Sequence, residues 1–163
     1  LFRQNQEDGG PFGYEAFIAN VGAIAMGATT YEWVRSHLAA SGEPWPYKQP
    51  TWVFTHRDLP LIEGADVRLT NGAVDRVHAD LTRAADGTDV WIVGGGALAA
   101  DFARAGLLDE IVVSIAPVTL GAGRPLLSGR FDLQLLDTGR NVDFVCARYR
   151  VVGMLTEDLP DGE

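Results

Sequence analysis

Residues 90–98, Val-Trp-Ile-Val-Gly-Gly-Gly-Ala-Leu, constrain the chain more than any other stretch. A short apolar run ends in three glycines and passes at once into a helical pattern over Ala97–Ala105. This predicts a buried strand that delivers a helix N-terminus at its carboxyl end. The first amides of such a helix have no carbonyl one turn earlier and carry partial positive charge. Glycines let a phosphate approach that backbone closely. The segment is therefore a candidate pyrophosphate site, although a tight strand-to-helix turn without a ligand explains the same residues. Ala99 stands where the third glycine of a Gly-x-Gly-x-x-Gly dinucleotide fingerprint would fall, so this is not that motif.

The same alternation runs through most of the chain. Residues 3–13 read as a loop, and Tyr14–Val21 as a short amphipathic helix. Ala23–Met26 is an apolar strand, and Gly27-Ala28-Thr29-Thr30 turns into a helix that continues to about Leu38. Thr29 and Glu32 have capping-box spacing, which predicts Thr29 as the cap. Pro44, Pro46 and Pro50 make 41–50 a loop. Strands follow at Thr51–Thr55 and Val67–Leu69. Val74, Val77, Leu81 and Ala84/Ala85 share a helical face that Gly87 ends. Beyond the helix at 97–105 come a strand at Ile111–Val118 and two alternating strands, Leu133–Thr138 and Val142–Val152. Gly139-Arg140-Asn141 is the expected connection between the last two. Strand–helix repeats followed by a hairpin predict an α/β fold with a mixed, mostly parallel sheet flanked by helices and a C-terminal antiparallel hairpin.

Composition narrows the partners. The 163 residues allow one domain with a sizeable core, expected over residues 1–153, with an acidic tail at 154–163. The net charge of −9 disfavours nucleic acid and anionic membrane surfaces. Cys146 is the only cysteine, so neither an internal disulfide nor a cysteine-based zinc site is available, and no metal is expected. No apolar run reaches membrane-spanning length and no signal peptide is visible, which makes a cytoplasmic location the expectation. Leu1-Phe2-Arg3 reads as the middle of a sequence, so an N-terminal strand is expected to precede it.

In a sheet of this type, ligands collect at the carboxyl ends of the strands. Three such ends are polar and rich in glycine or threonine: Gly27-Ala28-Thr29-Thr30, Thr55-His56-Arg57 and Gly94-Gly95-Gly96. The first and third are helix N-termini suited to phosphate oxygens. The second offers a hydroxyl and cations for one further phosphate. Plain capping and a solvated turn are the alternatives at each place. Together, two phosphate-type sites and a separate basic site suit a phosphorylated dinucleotide.

The sequence also resembles a known superfamily. Met-Gly-Ala-Thr-Thr-Tyr-Glu-Trp-Val at 26–34 is similar to the Met-Gly-Arg-Lys-Thr-Trp-Glu-Ser-Ile block of dihydrofolate reductases. Val-Trp-Ile-Val-Gly-Gly-Gly at 90–96 is similar to their Val-Ile-Gly-Gly-Gly block. Asp109-Glu110, the apolar strand, Ala116-Pro117 and Leu120-Gly121-Ala122-Gly123-Arg124-Pro125-Leu126-Leu127 resemble a sister group more closely. That group is the C-terminal reductase domain of the bifunctional riboflavin-biosynthesis deaminase-reductase. The matches span residues 23 to 127 in the expected order.

The resemblance implies a dihydrofolate-reductase-like fold and NADPH as cofactor. Gly27, Ala28, Thr29, Thr30, Val93, Gly94, Gly95, Gly96, Ala97 and Leu98 would hold the pyrophosphate. Thr55, His56 and Arg57 would lie near the adenosine 2′-phosphate. Trp33 and Val34 match substrate-facing positions. Ala28 replaces a residue that is usually basic in dihydrofolate reductases, which weakens that assignment.

The implied activity is hydride transfer to a small heterocyclic or ribosylamino-pyrimidine substrate. Dihydrofolate reduction and a non-catalytic nucleotide-binding role are the alternatives. The catalytic residue is not identifiable: Glu15, with Glu7 and Asp8 upstream, offers carboxylates near the matching helix, but Glu15 reads as solvated. His37 and His78 read as structural. Relatives commonly pair, so a homodimer is expected.

Overall fold

The computed structural model describes residues 5–155. Its elements are α1 (Tyr14–Ile18), β1 (Val21–Gly27), α2 (Ala28–Ser41), β2 (Thr51–Phe54), β3 (Val67–Thr70), α3 (Val74–Ala85), β4 (Asp89–Val93), α4 (Gly96–Arg104), β5 (Glu110–Ile115), β6 (Phe131–Asn141) and β7 (Phe144–Met154). The α/β class, the parallel core with its helices and the terminal antiparallel hairpin are those expected from the sequence. Hydrogen bonding divides the strands between two sheets, one parallel and one antiparallel. Contacts likewise group residues 20–99 as one compact unit and the flanking segments as another.

The first unit holds a parallel sheet in the order β3-β2-β1-β4. β1 lies inside this sheet and is apolar on both faces, as a doubly covered parallel strand requires. Ala23, Ile24, Ala25 and Met26 are completely buried. α3 contributes the predicted stripe, Val77, Leu81 and Ala85, all buried. Burying side chains such as Ile24, Met26 and Leu81 stabilises the fold by roughly 1.5–3 kcal/mol each. α2 stops at Gly42, whose left-handed backbone (φ 75°) lets its N–H donate to the Leu38 carbonyl at 2.8 Å.

The second unit is built on the antiparallel order β5-β7-β6, with β7 central. Asn141, only 1% exposed, ties the N-terminal loop to the end of β6. Its Oδ1 accepts from the Glu7 N–H at 2.8 Å, and its Nδ2 donates to the carbonyls of Glu7 and Pro11, both at 2.9 Å. Cys146 is fully buried, as expected, with its Sγ 3.6 Å from Ser114 Oγ.

Four local expectations need correction. The helix read over Tyr14–Val21 ends at Ile18, because Val21 opens β1 and is buried there. The strand read over Ile111–Val118 stops at Ile115, before Pro117, which has no N–H to continue a ladder. Thr29 does not cap α2: the helix begins two residues earlier than such a cap requires, at Ala28, Gly27 is the cap residue, and no side chain bonds there. The hairpin does not turn at Gly139-Arg140-Asn141. β6 runs through Asn141, which pairs with Phe144, leaving Val142-Asp143 as the loop, with Val142 at φ 51°. Gly139 has a different duty, since the Phe12 ring lies 2.8 Å from where its Cβ would be. β7 extends through Met154, and the remainder of the expected acidic tail, 156–163, lies outside the described residues.

Candidate functional site

The order β3-β2-β1-β4 sets the three polar strand ends beside one another. In the parallel ladders Gly27 pairs with Phe54 on one side, and Met26 pairs with Val93 on the other. The chain therefore leaves β2, β1 and β4 at neighbouring points, into Thr55–Arg57, Ala28–Thr30 and Gly94–Leu98. This is the carboxyl edge where open α/β sheets gather ligands.

Two helices start at this edge. Gly27 precedes α2 in an extended conformation, and a Cβ placed on it would meet nothing within 4 Å. The first-turn amides of Ala28, Thr29 and Thr30 thus follow an open approach with no capping side chain. In the turn after β4, Gly94 (φ 64°) and Gly95 (φ 79°) are both left-handed, a conformation glycine adopts without strain. The Gly95 carbonyl accepts the first helical bond of α4, from the Ala99 N–H at 3.1 Å. The amides of Gly96, Ala97 and Leu98 therefore come before the first bonded amide. Leu98 is buried and contributes backbone rather than side chain, whereas Ala97 is exposed. Thr30 joins the two turns: its Oγ1 lies 3.4 Å from the position of a Cβ on Gly94.

The third strand end is a compact polar turn. Thr55 Oγ1 accepts from the Arg57 N–H at 2.9 Å and donates to the Arg57 carbonyl at 3.3 Å. The Arg57 guanidinium forks onto Glu32 of α2, at 3.1 Å to Oε1 and 2.7 Å to Oε2. The hydrogen bonds from Arg57, helped by the charges of Arg57 and Arg35, hold the Glu32 carboxyl below the usual carboxylate range. The same pairing raises Arg57 above its ordinary value. His56 is exposed beside it.

Trp33 and Val34 line a cleft of about 460 Å³ together with His37, Glu43 and Tyr47. Val34 is buried, whereas Trp33 is 67% exposed and lies flat on the His37 ring, with centroids 5.5 Å apart and planes 5° from parallel. His37, expected to be structural, stacks on Trp33 and lines this cleft. Tyr31 anchors the other side of α2: it is buried and its hydroxyl donates to the Pro60 carbonyl at 2.9 Å. Desolvation raises its pKa. Edge-to-face contacts connect Tyr31 to Trp45, Trp45 to Tyr47 and Tyr47 to Trp91.

The sequence did not single out Arg57's partner Glu32 or the cleft residues Glu43 and Tyr47. Glu32 was visible only as half of a capping box, and the 41–50 loop only as a run of prolines. Glu15 is exposed on α1, as expected, and His78 meets Thr82 within α3. Among the described residues, no group of three or more His, Cys, Asp or Glu side chains could hold a metal ion. None of the described helices is long and apolar enough to cross a membrane.

Comparison with known proteins gives a consistent picture. The model of the RibD C-terminal domain family matches residues 35–148, well over half the chain. That match starts just after the 26–34 block. The uncharacterized protein YwjB of Bacillus subtilis (strain 168) is 31% identical over 121 residues, spanning 74% of this chain and 66% of its own length. YyaP of the same organism, also uncharacterized, is 25% identical over 137 residues, spanning 77% of this chain and 71% of its own.

Among solved structures, a protein of Shewanella sp. PV-4 named for riboflavin biosynthesis superimposes with a TM-score of 0.74 at 25% identity, covering 93% of this chain and 85% of that one. A pyrimidine reductase-like protein of Corynebacterium diphtheriae gives 0.57 at 16% identity, covering 93% and 86%. Acinetobacter baumannii RibD gives 0.56 at 16% identity, where the match covers 85% of this chain and 49% of the larger protein.

Proposed function

Because this chain belongs to the RibD C-terminal domain family, we propose that it is an NADPH-dependent reductase that acts on a small heterocycle, in the first instance a ribosylamino-pyrimidine of riboflavin biosynthesis. The observation that carries this reading is the juxtaposition of Gly27–Thr30, Thr55–Arg57 and Gly94–Leu98 at one edge of the parallel sheet. Two helix N-termini and a basic turn at neighbouring positions fit a phosphorylated dinucleotide better than any single strand end does.

The residues fit the cofactor in kind. The amides of Ala28–Thr30 and Gly96–Leu98 would hold the pyrophosphate, where the open space before Gly27 and the left-handed Gly94 and Gly95 leave the backbone accessible. Thr55, His56 and Arg57 would meet the 2′-phosphate. In a chain of net charge −9, such local donors are what an anionic ligand requires. When bound, NADPH supplies the hydride; the chemistry is the cofactor's, and the protein contributes orientation and electrostatics.

The cleft beside α2 is the proposed substrate site. Val34 supplies an apolar wall and Trp33 a flat exposed ring suited to a planar heterocycle. His37 and Glu43, both lining the cleft, are the titratable groups we propose for holding a proton near the substrate. Holding the two reactants in one orientation supplies much of the rate in reactions of this type.

We further propose a cytoplasmic homodimer. One face of the antiparallel sheet carries Ile111, Val113, Ile115, Leu133, Leu135 and Val145, and Ile115, Leu135 and Val145 are each more than half exposed. A second copy would cover such a face.

Calorimetry with NADPH and NADH tests the cofactor assignment. Tighter binding of NADPH, with the difference removed by Arg57→Ala, is the expected result. Equal affinity for the two would reject it.

A further inference from the structure

We propose that Glu32 is a specificity-determining residue: its carboxylate competes with the 2′-phosphate for Arg57 and so restrains the preference for NADPH over NADH. The inference rests on the placement of the cofactor proposed above.

Arg57 is not a waiting cation. Both terminal guanidinium nitrogens are engaged by the two oxygens of Glu32, at 3.1 and 2.7 Å. A fork of this kind satisfies the same donors that would grip a phosphate. Its position is fixed from both sides. Glu32 stands on the second turn of α2, directly after the amides proposed for the pyrophosphate. Arg57 is held by the Thr55 turn at the end of the neighbouring strand. The hydrogen bonds from Arg57, with the charges of Arg57 and Arg35 added to them, lower the Glu32 pKa, so the carboxylate is held in its charged form.

A 2′-phosphate must therefore displace the carboxylate from Arg57 or share the guanidinium with it. Either way it meets a negative charge one arginine away. NADH carries no phosphate there and experiences neither cost. Because the pair is exposed to solvent, with side chains 58% and 35% accessible, the competition is modest rather than prohibitive.

The test is calorimetric titration of NADPH and NADH against the wild-type chain, Glu32→Gln, Glu32→Asp and Arg57→Ala. Glu32→Gln is expected to tighten NADPH by about fivefold and to leave NADH unchanged. Glu32→Asp keeps the charge and is expected to stay close to wild type for both. Arg57→Ala is expected to weaken NADPH alone. If Arg57→Ala weakens NADPH but Glu32→Gln leaves it equal or weaker, the cofactor placement stands and the competition is refuted. If Arg57→Ala changes neither cofactor, the placement itself fails, and the competition fails with it. Circular dichroism of each variant confirms that the compared chains are folded.

Discussion

Met26 of β1 stands beside Val93 of β4 in the parallel ladder, so the two glycine turns that follow leave the sheet side by side. This single register brings together Thr30 and Gly94, which are far apart in sequence. The cofactor proposal depends on it more than on either motif alone.

Gly95 is the sharpest point at which to test the phosphate reading. Its φ of 79° is left-handed, and the nearest atom to an added Cβ is Thr30 Oγ1 at 4.0 Å. Gly95→Val therefore meets backbone strain rather than a steric clash, costing about 1–2 kcal/mol. The variant is expected to remain folded by circular dichroism and to lose NADPH binding by calorimetry. A folded variant that binds NADPH normally would show that the glycine turn does not receive the pyrophosphate.

Asn141 carries a structural prediction independent of function. It is buried and makes three hydrogen bonds to Glu7 and Pro11. Asn141→Ala removes all three hydrogen bonds that tie the exposed 7–11 loop to the end of β6, so stability is expected to fall by about 1–3 kcal/mol. Urea unfolding measures this directly, and a loss below about 0.5 kcal/mol, the range of an ordinary surface substitution, would contradict it.

The state of Glu32 can be read from its titration. Its hydrogen bonds to Arg57 lower its pKa in the folded chain. The ion pair is therefore fully formed above the ordinary carboxylate range, and its contribution to stability is lost only as pH falls through the lowered value. Carbon-detected NMR is expected to place the Glu32 midpoint below that of exposed glutamates, and Arg57→Ala should raise it. A normal midpoint in the wild-type chain would mean that the pair does not persist in solution.

Much of this architecture was legible beforehand. The Val77–Leu81–Ala85 stripe and the apolar β1 each follow from periodicity and burial acting locally. The run before Gly94 is a strand, as expected, but β4 is an edge strand of the parallel sheet and is half-buried rather than buried, because only β1 flanks it there. What escaped was non-local. The Thr29–Glu32 spacing satisfies the capping-box rule, yet Glu32 faces an arginine that only the pairing of β1 with β2 brings near. Gly139 has the composition of a turn, but it is glycine because the Phe12 ring needs the space. His37 joins the cleft because it stacks on Trp33, one helical turn before it and exposed to the same side. No rule of spacing distinguishes that arrangement from a solvated helix face.

The homodimer is expected to form through the sheet face that carries Ile115, Leu135 and Val145. Light scattering at micromolar concentration should give about twice the chain mass of 17.6 kDa. Leu135→Lys together with Val145→Lys should restore the single-chain mass, since buried like charges oppose association. A wild-type chain that scatters as a monomer would reject the pairing.

We propose above all that this chain passes a hydride from NADPH to a small heterocyclic or ribosylamino-pyrimidine substrate. The most direct measurement mixes the protein and NADPH with 5-amino-6-(5-phosphoribosylamino)uracil and follows loss of the reduced-nicotinamide absorbance, with product identified by mass spectrometry. One reduced product per NADPH consumed is expected, with loss of turnover in Gly95→Val. NADPH that binds but is never consumed, with this substrate or with dihydrofolate, would contradict the claim and favour a nucleotide-binding protein without turnover.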